Sequence, residues 1–156
     1  MLKERQLYIE LLEDVSILPE FIKHFEKEAT LAKEQLSMKG KLEGIAKIIP
    51  TIMDQRFTQL QILNAAIEHF ERQHDKIKSK LYRKYLENYQ RSLSSRDVEK
   101  YVNGEQEVVD MAMIINEIAL MRNIFISITK GIDAMSFQVH NITKLRTVGL
   151  EDATID

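Results

Sequence analysis

The chain has 156 residues, of which 44% are hydrophobic and 29% charged, with no cysteine and a formal net charge of −2. That length suits one domain with a sizeable core, and the composition excludes a chain that is disordered throughout. The missing thiols exclude a disulfide framework and thiolate chemistry, and the mildly acidic total excludes a protein that coats nucleic acid with its whole surface.

Two prolines and five glycines are few breaks for this length, so long helices are expected. The N-terminal stretch MLKERQLYIELLEDVS is charged and amphipathic, unlike a secretory signal, and a purely apolar run such as MAMII spans five residues. The expectation is a cytoplasmic protein with no membrane partner.

In chain order, Leu7, Leu11, Val15 and Leu18 recur at steps of four, four and three, which predicts a first short amphipathic helix. Pro19 suits the opening turn of a second, whose stripe is Phe21, Phe25, Ala29, Ala32 and Leu36. Gly40 and Gly44 then mark MKGKLEGIAKIIP as a joint, dividing an N-terminal helical segment, residues 1–44, from a helical-hairpin core, residues 45–156, within one domain. From Pro50 to Gln90 no further glycine or proline occurs, and Leu60, Leu63, Ile67, Phe70, His74, Ile77 and Leu81 repeat at three and four. This predicts one helix of about 60 Å, at roughly 1.5 Å per residue. RSLSSRD reads as a turn in which Ser94 caps a short helix, DVEKYV, closed by Asn103-Gly104.

The last helix has the clearest period. Met111, Ile114, Ile118, Met121, Phe125, Ile128, Ile132, Met135, Val139 and Ile142 keep one seam toward a partner, and Ile115, Ala119, Leu120, Ile124 and Ile126 widen it. The fold class is all-α, with two long antiparallel helices and shorter N-terminal ones. Ile118, Met121, Phe125, Ile128, Ile132, Met135 and Val139 are expected to join copies in a helical homo-oligomer, the alternative being that the N-terminal helices fold back and complete a monomeric bundle.

One segment departs from the rest in charge. Residues 71–91 carry seven Lys/Arg against three Asp/Glu, with three tyrosines among them, while the remainder of the chain totals −6. On a helix, Lys76, Lys80, Arg83 and Lys84 share roughly one 100° sector with Glu87, opposite Ile77, Leu81, Tyr82, Tyr85, Leu86 and Tyr89, and Lys78 points into the apolar side. An ordinary solvated face is the simpler reading of a basic run. A row of cations also suits the phosphates of a nucleic-acid strand, and a tyrosine offers a face for an unpaired base.

The order of features, from Ile49-Pro50 through KIKSKLYRKYLENY and DVEKYVNGEQEVVD to ISITKGIDAMSFQVHNITKLRTVG, resembles the UvsY-type recombination mediators of tailed bacteriophages over residues 45–149. By that resemblance the family's DNA-binding segment falls on Lys76, Lys78, Lys80, Arg83 and Lys84. Glu87-Asn88-Tyr89-Gln90 stands where the family has Tyr-Tyr-Ser-Gly, Glu105 and Glu107 are similar to its acidic pair, and Phe137, Val139, His140, Ile142 and Gly149 are similar to its ending. The resemblance implies a non-enzymatic protein that binds single-stranded DNA as a ring-like homo-oligomer. It further implies that the protein promotes loading of a RecA-like recombinase in place of a single-strand-binding protein. The alternative is a structural or scaffolding helical oligomer of a phage.

No catalytic motif is legible, and no cofactor or metal is expected. His24, His69, His74 and His140 include no i, i+4 pair, and no glycine precedes a Lys-Ser/Thr pair.

Overall fold

The computed structural model describes residues 2–37, 39–88 and 93–149. They form α1 (Leu2–Glu13), a 3-10 turn (Val15–Ile17), α2 (Leu18–Leu36), α3 (Leu42–Asn88), α4 (Ser95–Gly104) and α5 (Gln106–Thr147), with no strand among them. The protein is all-α, and two long antiparallel helices, α3 and α5, are its frame.

The first helix stops sooner than its leucine period suggests. The Asp14 carboxylate accepts from the Ser16 backbone N–H at 2.9 Å, an alternative to the helical ladder that turns the chain, and Pro19 sits in the first turn of α2. Phe21, Phe25, Ala29 and Ala32 line the buried face of α2 as their spacing predicts.

The joint expected before Pro50 is helical from Leu42, so α3 contains Pro50 and runs through the division expected at residue 44. A proline inside a helix costs roughly 3 kcal/mol. In the turns before it, Ile49 is buried and Ile45 half-buried against the core, and their burial offsets that cost. Ala46, whose carbonyl Pro50 leaves without its helical donor, is exposed to water, as is Gly44. Met38, in the same stretch, and Tyr89 and Gln90, at the end expected for this helix, lie outside the described residues.

The core joins α1, α2, α3 and α5. Leu7, Leu11, Phe21, Phe25, Leu63, Ile67 and Phe70 pack with Ile118, Met121, Phe125, Ile128 and Ile132. Phe25 meets Phe125 edge-on, with centroids 5.6 Å apart. Further along, Leu36 lies over Gly131, where an added Cβ would come within 3.0 Å of it, so the missing side chain lets α2 approach α5.

Within the one chain, the α5 seam expected to join copies already has partners. Ile118, Met121, Phe125, Ile128 and Ile132 are buried inside one chain, and Met135 and Val139 are half-buried against the same core. From the N-terminal part of the chain, α2 folds back over the seam. The outer side of α5 keeps apolar residues in water, with Met113 64% and Leu120 67% exposed. The helix contains an 18-residue stretch of mean hydropathy 1.5, of which only 22% is buried, long and apolar enough by composition to cross a membrane.

Candidate nucleic-acid interface

The far end of α3 holds the basic segment, and a second, smaller core stiffens it from behind. Val98 and Val102 of α4 and Val108 of α5 are buried there, with Ile77, Leu81, Tyr82, Tyr85 and Leu93 packed around them. Short α4 is started by Ser94, whose Oγ accepts from the Asp97 backbone N–H at 3.3 Å and donates to the Asp97 carboxylate at 2.6 Å. An extended residue, Glu105, separates α4 from α5.

Lys76, Lys80, Arg83 and Lys84 are all exposed, whereas Lys78 is half-buried, as its place on the apolar side of the helix requires. None of these five cations has an ion pair among the described residues. The four exposed ones line a groove of about 840 Å³ along α3. Asp75 and Glu87 share it, and Glu107 closes it from the start of α5. The acidic lip is the part the sequence did not place, since Glu107 lies more than twenty residues from the stripe. Earlier on α3, burial first and then the charges of Arg72 and Lys76 hold the His69 pKa below the ordinary 6.5.

Tyr85 is committed elsewhere. Its ring stacks on Tyr101 with centroids 5.7 Å apart, and its hydroxyl donates to the Glu105 carboxylate. Tyr82 is half-buried, with neither a ring contact nor a hydrogen bond among the described residues. Tyr89 and Arg91 lie outside the described residues.

A second constellation, which hydrophobic spacing did not reveal, lies at the other end of α3. Arg56 is 1% exposed, and its Nε and Nη2 donate to Gln35 Oε1 at 3.1 and 2.9 Å. Its Nη1 donates to Glu28 at 2.7 Å and to Gln59 Oε1 at 2.8 Å. The Gln59 amide in turn donates to Glu28 at 2.9 Å and to Glu4 at 3.0 Å, tying α1, α2 and α3 together. His24 Nε2 is buried 3.6 Å from Glu4, too far for a hydrogen bond. Glu4, His24 and Glu28 bring potential ligand atoms within 4.8 Å of one another. The two carboxylates already accept from Gln59 and Arg56, which makes the cluster a structural clasp first.

Burial acts to raise the Glu4 pKa, but hydrogen bonds to its carboxylate, that of Gln59 among them, prevail and bring it from 4.5 down to about 2. At Glu28 burial is likewise outweighed, by Gln59 and Arg56, and the pKa is lowered. A carboxylate whose folded pKa is depressed stabilises the fold above its unfolded value, and that stability is lost as pH falls through the folded one. Acid titration followed by circular dichroism should therefore show stability declining from about pH 5 toward pH 2, and Glu4→Gln should flatten the decline. An unchanged acid profile in that variant would assign the loss to other groups.

Compared with protein-family models, with curated proteins and with solved structures, the chain matches none.

Proposed function

We propose that the protein binds a single nucleic-acid strand along the exposed side of α3 and acts as a recombination mediator. In this reading it assembles with copies of itself and promotes loading of a RecA-like recombinase in place of a single-strand-binding protein. The observation that carries the binding step is the row Lys76, Lys80, Arg83 and Lys84, exposed and without ion pairs among the described residues, on a helix braced by α4. Like charges four apart, as in Lys76/Lys80 and Lys80/Lys84, destabilise an isolated helix by a few tenths of a kcal/mol per pair, and a phosphate strand would offset that cost. The mediator step is supported by the order of sequence features. No catalytic group enters the proposal; the work is binding.

Asp75, Glu87 and Glu107 limit what one protomer contributes, so linked copies supply the strength through effective concentration. Assembly is supported by the exposed Met113 and Leu120 on the outer side of α5. The same apolar surface favours a second reading, a structural helical assembly without nucleic acid.

Titration of a labelled single-stranded oligonucleotide at several salt concentrations tests the first reading. Log affinity should fall with log salt by about 0.7 per neutralised phosphate, roughly −3 for four contacts. No binding in dilute buffer would leave the structural reading, and a solution mass of one chain would remove the ring.

A further inference from the structure

On the other side of the basic row, α3 and α4 enclose a second groove of about 440 Å³, within the roughly 300–1,000 Å³ of small-ligand pockets. We propose that it holds one unpaired nucleobase, with the Tyr82 ring as its stacking face. This rests on reading the row along α3 as a phosphate track.

Four features point to a base. Tyr82 and Val102 make an apolar wall. The ring of Tyr82 is not stacked on another among the described residues, in contrast to Tyr85. Ser79 and Arg83 line both grooves, so a strand with its phosphate on Arg83 borders the groove that Tyr82 lines. Finally, Glu99 lies at the rim, exposed and with no hydrogen bond or ion pair among the described residues.

The chemistry of the rim sorts the two halves of a nucleotide. A carboxylate repels a phosphate but accepts a hydrogen bond from the amino or ring N–H that every base edge carries. Glu99 therefore turns the backbone toward Lys76, Lys80 and Lys84 and admits the base. Lys78, half-buried against the same groove, supplies a cation beside the aromatic face. A paired base has its edge and both faces engaged in the duplex, so this pocket confers preference for unpaired strands beyond what the cations alone provide.

An abasic oligonucleotide separates the pocket from the track, since it has the same phosphates and no bases. The intact protein should bind an ordinary single strand about five- to a hundredfold more tightly than an abasic strand of equal length at the same salt, the usual gain for one stacked base. Tyr82→Leu, which keeps an apolar side chain on the α4 valines, should abolish that advantage while leaving abasic binding unchanged. Tyr82→Phe, which retains the ring, should preserve it. Equal affinity for both strands in the unaltered protein would overturn the pocket and leave the track standing. Binding of neither strand would remove both. An advantage that survives Tyr82→Leu would show that bases bind elsewhere.

Discussion

Arg56→Ala is expected to destabilise the protein by about 3–5 kcal/mol, the cost of removing one partner from a buried ion pair. The guanidinium, 1% exposed, is met by Gln35, Glu28 and Gln59, and its loss leaves the Glu28 carboxylate without its cation and two amide oxygens without their donor. Arg56→Lys keeps the charge but offers one nitrogen where the site uses a planar fork, so it should restore only part of the loss. Replacing Arg56 and Glu28 together by methionine should cost less than Arg56→Ala, because the unpaired charge goes with the pair. Urea unfolding measures all three through the transition midpoint, with unchanged steepness indicating that the same surface is exposed. A loss below about 1 kcal/mol for Arg56→Ala would mean that the clasp adds little to the packing around it.

The double variant Lys80→Ala, Arg83→Ala should weaken binding to single strands and lower the magnitude of the salt dependence by about 0.7 for each phosphate no longer neutralised, roughly 1.4 in all. Both side chains are exposed and line the larger groove, and neither is buried in the core, so the thermal midpoint should move little. Unaltered binding in the variant would displace the strand from this row. Glu107→Gln provides the opposite sign: it removes an acid from the lip of the groove and should tighten binding at low salt, an effect that fades as salt screens the charge.

Much of the frame is legible in local pattern. The seam from Met111 to Ile142 and the stripe of α2 announce helices and their inward faces, because burial on one side of a helix repeats at three and four residues. The sorting of Lys76, Lys80, Arg83 and Lys84 to the outside and Lys78 to the apolar side follows from helical geometry alone. The cap at Ser94 is equally local. Pro50 shows where such rules yield: read by itself it starts a helix, yet buried Ile49 and half-buried Ile45 draw the preceding turns into α3.

The all-α class, the inward stripe of α2, the central seam of α5 and the gathering of cations on one side of α3 can be read without coordinates, since they depend on residues within a few turns of one another, whereas Leu120, read as widening the seam, is exposed on the outer side of α5. What each face meets became clear from the packing of the helices. The α5 seam is filled by α2 and α3 of the same chain, Glu107 closes the basic groove from another helix, and Glu4, Glu28, Gln35, Gln59 and Arg56 form one clasp from three helices. The Gln59–Glu4 bond joins residues 55 positions apart, and no local periodicity encodes a contact made only when distant helices pack.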